Sequence, residues 1–307
     1  MLKTTLCAAA LALLPLAAAA ESPPADKEPV ITDYSIDGHL KLLTDRRTRG
    51  ISETFRRPAA EFHLEAAHAS GLVGLVEAAT LSDKVYANSS GYTALAAGGY
   101  RWGNHEGWHF GLGLAHEWFP GAHFEAPTTI DFAIDPDSGQ PFPVPGGVRD
   151  FKFDTSYAVV EFAYGALEGR YLSVLSRDFR GANTGSVCGT LLTLRADPTG
   201  GLDCFARGDH GSRGTHLVDL DYTLKIDGRT SLVLHGGYQK VRHFSEADSW
   251  DWRVALKHSR WGLDWTLEAL GAHMKASELG LAFDSAGHSK RMEAPGVVLT
   301  VAYPFSF

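Results

Sequence analysis

Two short stretches of the sequence carry residue types that could do chemistry. The first, His105-Glu106-Gly107-Trp108-His109, matches the H-E-x-x-H pattern, in which two histidines on one helical face bind zinc and the glutamate activates a water. Here a glycine interrupts the stretch and alternating apolar segments flank it, so we interpret it as a hairpin turn. The sequence therefore predicts no metal site.

The second stretch is His210-Gly211-Ser212. In a strand, His210 and Ser212 would share a face and could act as base and nucleophile of a hydrolase at a barrel rim. Glycine and arginine on both sides of the stretch indicate a loop instead. We expect no catalytic residue and no cofactor, and an outer-membrane barrel hydrolase acting on lipid stays an alternative.

Charged residues elsewhere recur at every second position between apolar neighbours. Such alternation places the two sets on opposite faces of a strand, and ionised groups that face inward need water or opposite charges. The residues that this pattern assigns to an inner, lumen-lining face are Asp37, His39, Lys41, Glu61, His63, Glu65, Glu77, Arg101, Glu117, Glu161, Arg177, Asp219, Asp221, Lys225, Asp251, Arg253, Lys257, Asp264 and Glu268.

The elements that must position these residues are best seen at the end of the chain. Residues 297–307 read V-V-L-T-V-A-Y-P-F-S-F, with large apolar side chains on one face and small or polar ones on the other. A strand of about 9–11 residues with this pattern suits a tilted crossing of a bilayer. A closing strand of a soluble sandwich would also alternate.

Twelve such strands can be placed along the chain, and their connections alternate between short and long. They are expected at 34–43, 59–68, 72–80, 92–102, 107–118, 153–164, 169–177, 214–226, 230–240, 250–258, 262–273 and 296–307. Tight turns alternating with long loops are typical of bacterial outer-membrane barrels, with turns in the periplasm and loops outside the cell. The sequence therefore predicts an all-β fold, a 12-stranded antiparallel up-and-down transmembrane β-barrel.

The start of the chain resembles a secretory signal. Residues 1–20 combine Lys3, an apolar run and three alanines, which predicts a cleaved signal peptide. Residues 21–33 are expected to form a periplasmic leader, and 34–307 the barrel. The formal net charge of −8 argues against nucleic acid as a partner. Cys188 and Cys204 are the cysteines left after cleavage, and the oxidising periplasm favours a disulfide between them.

With the strands placed, one loop resembles a known family. Residues 44–53 read T-D-R-R-T-R-G-I-S-E, similar to the S-D-Y-x-F-R-G-x-S-Q stretch after the first strand of the TorF-type porin family, proteobacterial outer-membrane barrels long labelled conserved hypothetical. The likeness continues through residues 59–82, 251–254 and the last strand. Arg46 and Thr48 stand where that family tends to have aromatic residues. The resemblance implies a pore and supplies no catalytic residue.

The same loop is strongly basic. It carries Arg46, Arg47, Arg49, Arg56 and Arg57, which we expect to meet lipopolysaccharide phosphates, although they could instead line the mouth of the pore. The other expected partners are outer-membrane lipid and the barrel-assembly machinery, which reads a C-terminal phenylalanine such as Phe307. The oligomeric state cannot be predicted.

Three expectations concern geometry. Lys257 should lie opposite Asp264, Arg253 opposite Glu268, and His63 opposite Glu77. The proline-rich, acidic loop 119–152 should fold inward and narrow the pore, unless it is a surface loop.

The lumen-facing set is more acidic than basic. We therefore predict a channel for passive diffusion of small polar solutes or ions that slightly favours cations. A barrel hydrolase and a closed structural or surface-interaction barrel are the alternatives.

Overall fold

The protein folds into a single closed antiparallel barrel of twelve strands, as the sequence predicts. The structure is a computed structural model and describes residues 33–103 and 107–307. The strands are β1 (Tyr34–Leu43), β2 (Ala59–His68), β3 (Leu72–Thr80), β4 (Tyr92–Gly103), β5 (Trp108–Trp118), β6 (Thr155–Tyr164), β7 (Leu167–Val174), β8 (His216–Lys225), β9 (Thr230–Lys240), β10 (Ser249–Arg260), β11 (Leu263–Met274) and β12 (Gly296–Ser306). Each pairs with its neighbours in sequence, and β1 pairs with β12 to close the barrel.

The predicted signal peptide, nearly all of the predicted leader, and His105 and Glu106 of the H-E-x-x-H stretch lie outside the described residues. His109, the last residue of that stretch, lies in strand β5 opposite Gly103 of β4.

The alternation of the last strand shows why the barrel closes around a polar interior. Val297 and Tyr303 expose 67% and 57% of their surface on the outside, whereas Val298 exposes 1% on the inside. Other large apolar side chains on the outer faces, such as Leu42 and Leu112, are similarly exposed. Burying this apolar band against lipid is favourable, so the outer surface is that of a membrane-spanning barrel.

Aromatic residues cluster near the strand ends. Outward-facing tryptophan and tyrosine side chains occupy the two rims of the apolar band, where interfacial aromatic girdles belong. The exposed members are Tyr92, Trp118, Tyr238 and Trp250 near one rim, and Tyr34, Tyr100, Trp102, Trp108, Tyr164 and Trp261 near the other. The two rims set the height of the barrel within the membrane.

The connections sort by length onto the two ends. The turn end carries 69–71, 165–166, 226–229, 261–262 and the connection from Gly103 to Trp108, and the loop end carries 44–58, 81–91, 119–154, 175–215, 241–248 and 275–295. Shorter strand pairs within the loops are Arg47–Thr48 with Ile51–Ser52, His123–Ala126 with Arg149–Lys152, Thr129–Ile134 with Pro141–Gly146, and Leu281–Phe283 with Ser289–Arg291. Two 3-10 turns lie at Ser245–Ala247 and Ser277–Gly280. In the described part of the chain, none of the helices is long and apolar enough to span a membrane.

One predicted register is wrong by two residues. Lys257 lies opposite Thr266 and Arg253 opposite Leu270, not Asp264 and Glu268. The reason is the turn: Trp261 and Gly262 both have positive φ, 59° and 72°, which matches the two-residue hairpin turn favoured by strand twist. A shift of two keeps every side chain on its face. The predicted pairing of His63 with Glu77 is confirmed.

The loop 175–215 contains two helices that the sequence interpretation missed. Helix α1 (Thr184–Leu194) begins at Asn183, whose side chain accepts a hydrogen bond from the Ser186 amide in a reciprocal capping box, an arrangement that stabilises a helix start. Helix α2 (Thr199–Ala206) packs against α1. The predicted disulfide between Cys188 and Cys204 is confirmed and joins the two helices. We call residues 175–215 the two-helix insertion.

Replacing both cysteines by alanine should loosen the two-helix insertion and leave the barrel closed. The disulfide spans 16 residues, and in the chain-entropy model a loop of this size contributes about 3 kcal/mol. Limited proteolysis should therefore cut the variant within 175–215, while the folded barrel keeps its mobility on unheated SDS gels. Equal resistance of the oxidised wild type and the double variant would show that the insertion does not depend on the bond.

Candidate functional site

The inside of the barrel is filled by charged side chains around a central cavity of about 520 Å³. The loop 44–58, which we call the inner loop, turns into the barrel and lines this cavity from the loop end. At its tip Gly50 has a φ of 73°, and an added Cβ would lie 2.5 Å from the backbone oxygen of Gly271 in β11. The tip therefore needs glycine both for its left-handed backbone and for its close approach to the wall.

Arg46 anchors the base of the inner loop to two strands. Its guanidinium contacts Glu53 of the same loop, lies 3.4 Å from the Glu61 carboxylate of β2, and lies 3.0 Å from Glu77 of β3. The Arg46 side chain is 8% exposed, so these three carboxylates replace the water it has lost. Arg47 pairs with Asp45 at 2.7 Å.

Arg49 extends from the loop tip to the opposite wall. It contacts Asp219 of β8 and lies 3.4 Å from Asp251 of β10. His235 of β9 lies between the carboxylates of Asp221 and Asp251, at 3.1 and 3.0 Å. Because ionised carboxylates only accept hydrogen bonds, this arrangement suits an imidazolium that donates from both nitrogens. The inner loop thus reaches across the barrel.

A second set of ion pairs lies closer to the turn end. Arg101 of β4 contacts Glu65 of β2 and lies 3.3 Å from Glu161 of β6. These pairs are more exposed than those of Arg46, which is consistent with a wetter part of the lumen. Lys41 of β1 pairs with Glu61 at 2.6 Å nearer the loop end, beside Arg46.

Arg180 closes the lumen at the loop end. Its guanidinium lies 2.6 Å from Glu53 and 2.7 Å from Glu117 of β5. Tyr86 donates to the Glu53 carboxylate at 3.1 Å, and Tyr157 donates to Glu117 at 3.2 Å. Both carboxylates are almost fully buried.

The electrostatics of this group follow from its burial. Burial lowers the pKa of Arg180, but the Glu117 charge and hydrogen bond, together with the neighbouring Tyr86 and Tyr157, outweigh burial and raise the pKa well above its usual value. Burial raises the pKa of Tyr86. Arg180 is therefore a permanent cation held by two buried carboxylates, and its backbone has a positive φ of 45°.

Two further cavities flank the central one. A turn-end cavity of about 760 Å³ shares Arg101, Glu161, Asp219 and Asp221 with it. A loop-end cavity of about 900 Å³ shares Phe179 and Arg180 with it. The central cavity thus borders both of the others, and Arg180 lies at its boundary with the loop-end cavity.

The structure brings most of the predicted lumen residues together. Those that line the central cavity are Lys41, Glu61, Glu65, Glu77, Arg101, Glu117, Glu161, Asp219, Asp221, Asp251 and Arg253. His63 lies 3.6 Å from Glu77, and Glu268 lies 3.9 Å from Arg253. By strand alternation Asp37, His39, Lys225, Lys257 and Asp264 lie on the same inner face.

Arg177 was placed wrongly. Strand β7 ends at Val174, so Arg177 belongs to the two-helix insertion, where it lies 3.3 Å from Asp209. Arg170 of β7 lines the lumen instead. Arg170 and His235 were both missed, although each lies opposite a residue assigned inward on the neighbouring strand, Asp219 and Asp221 respectively. Arg180 carried no signal in the sequence, because it lies in a long loop.

The basic loop divides into two groups. Arg46, Arg47 and Arg49 point into the lumen, so for these three the lipopolysaccharide expectation is wrong and the pore-mouth alternative describes their position. Arg56 donates to the backbone oxygens of Arg291 and Ala294 at 2.5 and 3.2 Å on the surface. Arg57 lies over the Phe55 ring.

The loop 119–152 does not narrow the central cavity. None of its residues lines that cavity, because two stacked strand pairs make it a hydrogen-bonded hairpin instead of an irregular segment. We call residues 119–154 the long hairpin.

The His210 and Ser212 pair does not form either. Ser212 is fully buried and donates to the Ala182 backbone oxygen at 2.6 Å, and His210 Nε2 bonds the Arg207 oxygen at 2.8 Å. Within the described residues, no group of three or more potential ligands is placed to hold a metal ion.

The apolar outer band and the charged lumen define the class of the protein as a transmembrane β-barrel of the outer-membrane type. No protein-family model matches the chain, and no curated protein matches it.

Solved structures of porins and channels resemble it at low similarity. The KdgM porin in complex with disordered oligogalacturonate has 8% identity and a TM-score of 0.42, covering 89% of this chain and 99% of that one. The NanC porin has 8% identity and a TM-score of 0.44, covering 88% and 97%. An outer membrane channel from Pseudomonas putida F1 has 13% identity and a TM-score of 0.37, covering 94% and 100%.

Arg46→Met should strongly destabilise the folded barrel, because Glu53 and Glu61 each lose one of two cations and Glu77 loses its only arginine or lysine partner. Breaking a buried ion pair from one side costs about 3–5 kcal/mol. Urea unfolding in detergent micelles measures the loss. Arg56→Met is the matched control in the same loop and should change stability by no more than about 0.5 kcal/mol.

Combining Arg46→Met with Glu53→Gln tests the pairing itself. Because both changes remove the same contact, the double variant should lose less stability than the two single losses together. Strictly additive losses would contradict the role assigned to Arg46.

Proposed function

We propose that the protein is an outer-membrane channel through which small polar solutes or ions diffuse passively. The observation that carries this proposal is the series of three cavities along the barrel, which share charged lining residues from the turn end to the loop end. Ionised walls need water or partners, and the exposed ion pairs around Arg101 fit a wet lumen. A barrel sealed by apolar side chains would show neither feature.

The proposed orientation follows from the connections. Tight turns face the periplasm and long loops face outward in bacterial barrels, so strand β1 would start, and strand β12 would end, on the periplasmic side. Membership of the TorF-type family, which the sequence of the inner loop suggests, belongs to the proposal as well.

Two surface features are proposed to meet partners of the membrane. Arg56 and Arg57 at the loop end would contact lipopolysaccharide phosphates. Phe307, which is 81% exposed, would serve as the terminal residue that the assembly machinery reads.

The narrowest point of the channel is proposed to lie at Arg180. This residue borders both the central and the loop-end cavity, and Glu53 and Glu117 hold it across the passage. A solute that moves between the two cavities must pass this guanidinium. Arg180 would therefore limit the flow more than any residue of the long hairpin.

A slight preference for cations is proposed to arise at the turn end. Among the described residues, eight carboxylates line the central cavity beside eight lysine or arginine side chains and His235, so this cavity has no excess of negative charge. The turn-end cavity is lined by Glu161, Glu168, Asp219 and Asp221 but by only two arginines. This excess attracts cations, and salt screens it because the mouth is wet.

Arg180→Ala should raise the single-channel conductance of the refolded protein in planar bilayers. Removing the guanidinium widens the passage between the two cavities and leaves Glu53 and Glu117 to bind water. Arg207→Ala is the matched control, since Arg207 pairs with Glu246 on the surface of the two-helix insertion, and its conductance should equal that of the wild type.

The wild-type recording tests the proposal itself. Discrete conductance steps are expected. Bilayers that stay silent with folded wild type and with Arg180→Ala would rule out the channel, and turnover of lipid would favour the hydrolase. Equal conductance of wild type and Arg180→Ala would place the narrowest point elsewhere.

Glu168→Lys should abolish the cation preference, because it leaves three carboxylates and three cations around the turn-end cavity. Asp137→Lys makes the same change in charge at the tip of the long hairpin and should leave the preference unchanged. Reversal potentials in a salt gradient measure both, at low ionic strength where the charges act furthest. A wild type without cation preference would contradict this part of the proposal.

A further inference from the structure

The loop-end cavity differs in chemistry from the charged lumen beneath it. It encloses about 900 Å³ between the long hairpin, the two-helix insertion and the ends of β9 and β11. Its walls are mainly apolar, and the side chains that matter here are Phe124, Ile130, Phe153, Phe179, Val187 and Leu192. Contact between water and so much apolar surface is unfavourable in free energy. A bound solute with apolar surface would displace the water and remove that cost.

The charges around this cavity balance. Its charged lining residues are Asp83, Lys84, Glu125 and Arg180, two of each sign. The cavity therefore offers no net attraction to an anion or to a cation, in contrast to the lumen.

Gly189 gives this cavity part of its space. Glycine inside a helix lowers the stability of the helix relative to alanine. Close packing explains the glycine at Gly185 and Gly201, where an added Cβ would lie 2.6 and 2.5 Å from neighbouring atoms. At Gly189, which lines the cavity, a Cβ would meet no atom within 4 Å. Packing does not require glycine at this position. A larger side chain here would instead occupy part of the cavity.

The wall that carries Gly189 is held rigidly. The neighbouring residue Cys188 is fully buried and bonded to Cys204, and Leu191 on the next turn is also fully buried. On the facing side, the rings of Phe124 and Phe153 lie 5.2 Å apart. A cavity with fixed walls keeps its shape without a ligand, which reduces the entropy cost of binding.

We propose that the loop-end cavity is a binding site for a small uncharged aromatic solute. Its volume lies within the range of about 300–1,000 Å³ typical of small-molecule sites. The four phenylalanines around it, Phe124, Phe153, Phe179 and Phe205, can pack an aromatic ring in the offset or edge-to-face arrangements that rings prefer. The site goes beyond the proposed channel, because binding here requires no passage of solute through Arg180.

The probe is 4-fluorophenyl β-glucoside, which is uncharged, water-soluble and aromatic. Fluorine NMR of the probe with the full barrel in lipid nanodiscs should show saturable line broadening, beyond that of empty nanodiscs. Gly189→Phe fills the cavity and should abolish the saturable broadening, whereas Gly189→Ala should retain it. Ile130→Asp places a charge in the wall and should also abolish it, and Phe132→Asp is its control, because Phe132 lies on the same hairpin outside the cavity.

Each result decides the proposal. Loss of binding in Gly189→Phe and Ile130→Asp, with retention in both controls, supports the site. No broadening beyond empty nanodiscs, or undiminished binding by the folded Gly189→Phe and Ile130→Asp proteins, overturns it. Tighter binding of 4-fluorobenzoate than of the glucoside overturns the preference for an uncharged ligand. The conductance of the same preparations is measured separately. Conductance without probe binding overturns the binding site alone, and probe binding without conductance overturns the channel alone.

Discussion

Buried pairs between arginine and carboxylate determine the interior of this barrel. A closed strand layer with an apolar outside must place its polar residues inside, and here the inner loop and the two-helix insertion supply arginines to a wall rich in carboxylates. Arg46, Arg49 and Arg180 come from loops, whereas Glu77, Asp219 and Glu117 come from strands. Neither set could remain ionised in this interior alone. The loops are therefore structural parts of the barrel, and the water-filled space is what the ion pairs leave open.

The positions of the strands were predictable because the information is local. Alternation assigns each residue to a face, and all twelve strands lie within a few residues of the predicted ranges. Register needs the turn as well. Between β10 and β11 the turn residues Trp261 and Gly262 fix a pairing two residues from the predicted one. Faces were correct there because a shift of two preserves them, so assignment to the lumen was more robust than the pairing of partners.

The rest of the site depends on contacts that a pattern cannot show. Arg180 meets Glu53 across 127 residues of chain, and nothing in the alternation of strands indicates where a loop will fold. The inner loop was expected to face lipopolysaccharide, but it lines the central cavity. The long hairpin was expected to narrow the pore, but none of its residues lines that cavity. Proline content predicted irregular backbone in 119–152, but paired strands accommodate those prolines at the edges of a hairpin. Charge composition alone did not reveal which basic residues have acidic partners.

The reach of the inner loop has a mechanical consequence. From β1 and β2 it extends to Asp219 on β8 and Asp251 on β10, and its tip touches the backbone of β11 at Gly271. A cylinder of strands bends easily into an oval cross-section, and lateral pressure from the surrounding lipids favours such bending. A loop held to opposite walls by ion pairs resists this flattening. This barrel is therefore braced from within at the level of Arg49 and resists flattening there.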